Sequence, residues 1–248
     1  MSARKLVAGN WKMNGSAASA GSLIAALVAH GPVGARLRVA VCPPFPLLPL
    51  VADALRGTEI LLGAQDCHAK ERGAHTGDVS AALLAEIGCA VVIVGHSERR
   101  ADHSETDAEV RAKAEAALAA GLTPIICVGE TEAQRNAGET RSVVERQVIG
   151  SWPKGGAAER CIIAYEPVWA IGTGKTPTLR DVGDVHGHIR AVAKAQNIEA
   201  ADLDILYGGS VKGANAVELM SVPGVDGALV GGASLDAQDF WKIIKACQ

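Results

Sequence analysis

Aromatic side chains are scarce: four Trp, two Tyr and two Phe stand among 248 residues. A core in this chain is therefore aliphatic, and each aromatic becomes informative by its position. No apolar run approaches the roughly 18 residues of a membrane span, and the opening MSARKLVAGN has no long apolar stretch behind its positive charges. Neither a membrane anchor nor a signal peptide is expected. The formal net charge is −3, so no basic excess points to nucleic acid, and Arg99-Arg100 reads as a salt-bridged or solvated pair. Six cysteines, at 42, 67, 89, 127, 161 and 247, form no CxxC pair. Cys67-His68 followed by His75 does not match zinc-ligand spacing. Buried reduced thiols in a cytoplasmic protein are the expectation, with no metal. There is also no GxGxxG after the first apolar run, where VAGNWKMNG stands instead, which argues against a dinucleotide-binding sheet.

What is present is a repeating pattern. Short β-branched runs recur eight times, at 5–10, 37–44, 59–65, 90–96, 123–130, 161–167, 204–210 and 227–233. They lack polar alternation, as strands buried on both faces do. Ala-rich helical stretches fill the intervals. In 106–121, Thr106 and Glu109 make a capping box, Glu109 and Lys113 are spaced i,i+4, and Gly121 falls at the end. Another helix starts at Thr178 with Asp181 three residues on; His186 and His188 lie among polar neighbours and read as solvated. Eight β/α units with no linker or low-complexity break predict an α/β fold, one closed (β/α)₈ barrel spanning 1–248. An open doubly wound sheet is the alternative.

Barrels of this kind carry their chemistry at the C-terminal ends of the strands. There the chain places Asn10 and Lys12 after the first run, His96 and Glu98 after the fourth, and Glu166 after the sixth. Tyr207-Gly208-Gly209-Ser210 follows the seventh, and Gly231-Gly232 the eighth. Singly, a strand-end Glu is ordinarily a cap or salt-bridge partner, a His structural and a Gly-Gly a turn. Together they place an amide, an ammonium, an imidazole, a carboxylate and two bare backbone turns on one rim. Glycine amides can approach an anion because no side chain blocks them, and a short helix near Ser234 would add its N-terminus. With Lys12 they point to a small phosphorylated substrate. In AYEPVWAIGTGKTPT, a base at Glu166 is followed by the stiff Pro167 and then by Gly172 and Gly174. Pro167, Val168, Trp169, Ala170, Ile171, Gly172, Thr173, Gly174 and Lys175 form a candidate lid whose closure would strip water from the carboxylate and strengthen it as a base.

GNWKMNG (9–15), VGHSERR (94–100), YEPVWAIGTGK (165–175), YGGSV (207–211) and LVGGASL (229–235) resemble, in order, the signatures of the triosephosphate isomerase family. The resemblance covers essentially the whole chain and implies a TIM barrel. It implies interconversion of dihydroxyacetone phosphate and glyceraldehyde 3-phosphate, within glycolysis and gluconeogenesis, without cofactor or metal. Carried onto this chain, it makes Glu166 the base and His96 a neutral imidazole that polarises the carbonyl and shuttles protons. Lys12 offsets charge, Asn10 orients substrate oxygens and Glu98 pairs with Lys12. Gly172, Ser210, Gly231 and Gly232 offer amides to the phosphate, and Tyr207 and Ser210 hold the closed lid. The resemblance further implies a homodimer in which 72–80, with His75, Thr76 and Gly77, enters the neighbouring subunit and Gln65 joins the interface. His75 stands where an aromatic is common in that family. The rival expectations are an isomerase of a four-carbon sugar phosphate, a Schiff-base aldolase with Lys12 as nucleophile, and a non-catalytic anion-binding scaffold.

Overall fold

A computed structural model describes residues 5–154, 160–173, 175–196, 198 and 203–248. Eight strands form the inner wall: β1 Lys5–Asn10, β2 Leu37–Cys42, β3 Ile60–Ala64, β4 Val91–Val94, β5 Thr123–Val128, β6 Ile162–Tyr165, β7 Ile205–Tyr207 and β8 Gly227–Val230. All pair in parallel in chain order and close into a barrel, β1 meeting β8 through Leu6↔Gly227 to Gly9↔Val230. The closed barrel replaces the open sheet as the architecture. Closure depends on Gly227: its φ is +144°, and a methyl there would stand 1.9 Å from Leu6 O.

Helices α1 Ala17–Val28, α2 Leu48–Ala54, α3 Ala81–Ile87, α4 Ser97–Asp102 and α5 Asp107–Ala119 wrap the first half. Helices α6 Glu132–Asn136, α7 Thr140–Ser151, α8 Leu179–Ala195, α9 Ala216–Met220 and α10 Ala237–Ala246 wrap the second. The strands lack polar alternation because each face is buried against something different. Leu6, Ala8, Ala40, Ile93, Ile125, Ala164, Leu206 and Leu229 fill the barrel interior, while Val7, Val39, Val92, Ile126, Ile163 and Ile205 pack outward on the helices. At about 1.5–3 kcal/mol per fully buried aliphatic side chain, this double burial is what holds the rim in place. All six cysteines are buried thiols.

Local signals explain the helix starts. Thr106 and Thr178 each complete a capping box, with Glu109 and Asp181, and Gly121 adopts φ +84° just beyond α5. Two expectations fail. Lys113 turns inward and bonds both Asp66 oxygens at 2.8 and 2.9 Å and Glu105 at 2.6 Å; a buried ammonium surrounded by two carboxylates outweighs a surface i,i+4 pair. His186 is fully buried, because it shares the inward stripe of α8 with Val182, Val185 and Ile189. Its Nδ1 lies 3.0 Å from Gly224 O, and burial drives its pKa down to about 4.

The two ends of the barrel differ. At the N-terminal end Arg38 pairs with Asp204 at 2.5 Å, and Arg190 pairs with Asp226, which also accepts from Ile205 N–H at 2.9 Å. At the other end the strands open onto a cavity.

Candidate active site

That cavity is about 350 Å³, and Asn10, Lys12, His96, Glu166, Gly172, Ser210, Gly231 and Gly232 all line it. Lys212, a cation the sequence reading passed over, lines it too. The elements that bring these groups together are specific.

Asn10 ends β1, and the chain then turns through Lys12, whose φ of +51° lies in the left-handed region. That conformation costs a non-glycine residue about 1–3 kcal/mol. Hydrogen bonds grip it on both sides: Lys12 N–H donates to Asn10 Oδ1 at 3.0 Å, and Gln65 Nε2 donates to Lys12 O at 2.8 Å. Gln65 also donates to Cys42 O at 2.9 Å. Gln65 thus fastens the Lys12 turn within its own chain. The Lys12 ammonium pairs with a Glu98 carboxylate oxygen, and a methyl on Gly231 would sit 3.4 Å from Lys12 Cε. The cation therefore lies beside the glycine turn that follows β8.

His96 caps the N-terminus of α4, with its Nδ1 accepting from Glu98 N–H at 3.2 Å. Its Nε2 lies 2.9 Å from Glu166 Oε1. One ring proton, on Nε2, satisfies both contacts; a second proton on Nδ1 would face an N–H. This arrangement suits a neutral imidazole. Burial lowers the His96 pKa, and the adjacent Glu166 charge and hydrogen bond outweigh burial and raise it.

Glu166 follows β6 and is 2% exposed. Its Oε2 accepts from Ser97 N–H, the first amide of α4, at 2.9 Å. Burial alone would raise its pKa, as the sequence reading anticipated. In this arrangement the His96 contact and the Ser97 amide prevail and hold it lower. Room for Glu166 comes from Gly129, which had no role assigned from sequence, and from Gly208, which the sequence places in an anion-facing turn. A methyl on Gly129 would stand 1.7 Å from Glu166 O, and one on Gly208 would stand 2.9 Å from Glu166 Cγ.

The segment after Glu166 has a firm root. Pro167 has φ −66°, and a single 3₁₀ turn covers Val168–Ala170. Trp169 Nε1 donates to Glu130 Oε1 at 2.9 Å, the Tyr165 hydroxyl donates to Glu130 Oε2 at 3.1 Å, and the Arg135 guanidinium lies 4.1 Å from the Trp169 ring centroid. Glu130, fully buried just beyond β5, escaped the sequence reading although it too follows a strand. Thr173 Oγ1 donates to Trp169 O at 2.8 Å, and Lys175 pairs with Glu132. Ile171 and Gly172 (φ +70°) border the cavity; Gly174 lies outside the described residues. Tyr207 and Ser210 make no hydrogen bond to this segment among the described residues, so their expected hold on the lid is not formed here. Beyond β8, Gly232–Leu235 is one 3₁₀ turn, and the longer helix begins only after Asp236.

His75, Thr76 and Gly77 lie away from the cavity, on the β3–α3 connection.

The chain matches the family model described as triosephosphate isomerase over residues 5–247. It is 55% identical to the triosephosphate isomerase of Bradyrhizobium diazoefficiens, with 98% of each chain covered. It is 56% identical to that of Acidiphilium cryptum, again over 98% of each. Among solved structures it resembles triosephosphate isomerase from Bartonella henselae, with a TM-score of 0.88, 46% identity and 98% of each chain covered.

Proposed function

This chain belongs to the triosephosphate isomerase family, and we propose on that footing that it interconverts dihydroxyacetone phosphate and D-glyceraldehyde 3-phosphate. The observation that carries the reading is the contact between the Glu166 carboxylate and the His96 imidazole at 2.9 Å, on the wall of a cavity that also holds an ammonium and two glycine turns.

Substrate phosphate is assigned to the glycine side, against the amides of Gly172, Ser210, Gly231 and Gly232, with Lys12 beside Gly231. The carbonyl then faces Asn10 and His96. Glu166 leaves the Ser97 amide and takes a proton from the carbon next to the carbonyl. The carbonyl oxygen gathers the charge, and His96 donates its Nε2 proton to it, giving an enediol. His96 recovers a proton from the neighbouring hydroxyl, and Glu166 returns its own to the adjacent carbon. No atom is gained or lost. As Glu166 withdraws from His96, the influence that raises the imidazole's pKa weakens, which favours the neutral ring this shuttle needs.

Closure of 167–175 over the substrate would bring the Gly172 amide to the phosphate and exclude water, with Tyr207 and Ser210 receiving the closed segment. Lys12 is better suited to charge compensation than to Schiff-base chemistry, because its ammonium is engaged in an ion pair with Glu98 beside the glycine turn. We further assign a homodimer in which 72–80 reaches the neighbouring subunit, and a cytoplasmic place in glycolysis and gluconeogenesis. No helix among the described residues is long and apolar enough to cross a membrane.

The test is a coupled assay with glyceraldehyde 3-phosphate beside a four-carbon sugar phosphate. Triose turnover with kcat/KM approaching ~10⁸ M⁻¹s⁻¹, and much slower tetrose turnover, is the expected outcome. A preference for the tetrose would overturn the substrate, and failure to turn over either would overturn the activity.

A further inference from the structure

Strand β5 keeps its pairing to the β6 side beyond its own end. Glu166 N–H donates to Val128 O at 2.7 Å, and Val168 N–H donates to Glu130 O at 3.1 Å. Gly129 lies between these two acceptors. By strand alternation its own N–H and C=O face the other way, toward β4. There β4 has already ended: its last pair with β5 is Val94↔Ile126, and the chain turns at Gly95 (φ +65°) into α4. Side chains from two helices take the place of the missing strand. From α4, Arg100 Nη2 donates to Cys127 O at 3.1 Å. From α7, the carboxamide of Gln147 takes both groups of Gly129. Gly129 N–H donates to Gln147 Oε1 at 2.6 Å, and Gln147 Nε2 donates to Gly129 O at 3.2 Å. Gln147 is buried, so no bulk water can replace either bond.

We propose that Gln147 is a positioning residue for the base Glu166, acting through Gly129. The inference rests on the isomerase reading above. The Glu166 main chain passes directly over Gly129, where a methyl would stand 1.7 Å from Glu166 O. Any rotation of the Gly129 peptide therefore moves the base. A cavity of about 180 Å³, lined by Gln147, Gly129, Cys127, Ser97 and Glu166, lies on this side of the base. Packing alone thus leaves the peptide room to turn, and the carboxamide fixes it. Gln147 does not line the substrate cavity, so its effect is on placement and not on contact with the substrate.

Steady-state kinetics of Gln147→Met test the assignment. Methionine keeps the length of the side chain and deletes both donor and acceptor. A displacement of the base by roughly half an ångström is worth about tenfold in rate. The expected result is a kcat about tenfold lower per folded molecule, with no rise in KM. The inhibition constant of inorganic phosphate, which reads the anion site alone, should stay within twofold of the parent's. Asp226→Ala, destabilised at the opposite end of the barrel, should keep its kcat and so separates placement from stability. Should Gln147→Met not fold by far-UV circular dichroism, Gln147→Asn, which retracts the carboxamide by one methylene, carries the same expectation. A parental kcat in the folded variant, or an equal loss of phosphate binding, would overturn the role of Gln147 alone. A parent that isomerises no triose would overturn the isomerase reading and this inference with it.

Discussion

The two ends of the barrel are both rich in charge, but they satisfy it differently. At the N-terminal end Asp226 meets Arg190 and a backbone amide, and Arg38 meets Asp204, so these groups are engaged with one another. At the C-terminal end Lys12, His96 and Glu166 are paired too, yet each also borders an open cavity. A carboxylate locked between fixed donors can only stabilise. One held by an imidazole and a helix amide beside empty space can change partners. The comparison says that polar burial at one end serves the fold and at the other end serves chemistry, and mutations should separate the two.

The largest effect is expected from Glu166→Asp. Retracting the carboxylate by one methylene should cut turnover about 10²–10³-fold while the thermal midpoint moves little. A variant that isomerises at the parent rate would remove Glu166 from the role of base. Next is acidification, which probes a group outside both ends. His186 has a folded pKa near 4 against an ordinary value of 6.5. Above pH 6.5 it is neutral in both states. Below that, the unfolded chain gains a proton that the folded chain resists, so stability falls between pH 6.5 and 4, by about 3 kcal/mol. Denaturant midpoints measured across that window should show the loss in the parent and a smaller one in His186→Gln; parallel curves would refute the assignment.

Asp226→Ala sharpens the comparison from the opposite end. It removes a carboxylate partner of Arg190 and the acceptor of the Ile205 N–H, and should cost about 1–3 kcal/mol of stability while leaving kcat per folded molecule unchanged. A large drop in kcat would mean that the N-terminal end is not merely structural. The smallest effect is assigned to Trp169→Phe, which keeps the ring and deletes the donor to Glu130. Losing about 1 kcal/mol from this lid position should favour the closed form and tighten binding of a substrate-like phosphate up to about fivefold. Unchanged or weaker affinity would detach Trp169 from lid control.

Much of this was legible in the sequence for physical reasons. Eight two-sided apolar runs can be satisfied by a barrel sheathed in helices, and the strand-end rule then places His96 and Glu166 on one rim. The failures have reasons as well. His186 sits among polar neighbours in sequence, but its spacing from Val182 and Ile189 puts it on the inward stripe of α8. Lys113 satisfied a local helix rule while stronger distant partners, Asp66 and Glu105, determined its direction. Glu130 follows β5 as Glu166 follows β6, and the same rule would have singled it out. Gly129 gives no local signal and Gly208 signals only a turn, since the necessity of each lies in how closely Glu166 approaches it. The bond from the Gln65 amide to the Lys12 turn joins residues far apart in the chain, so no local signal announces it.

The six buried thiols give the molecule a built-in clock. Burial pushes Cys67 and Cys89 up to about 12 and Cys247 to about 11, so hardly any thiolate is available to an alkylating reagent near neutral pH. Labelling therefore awaits local opening, and the order in which the sulfurs react maps which parts of the barrel open first.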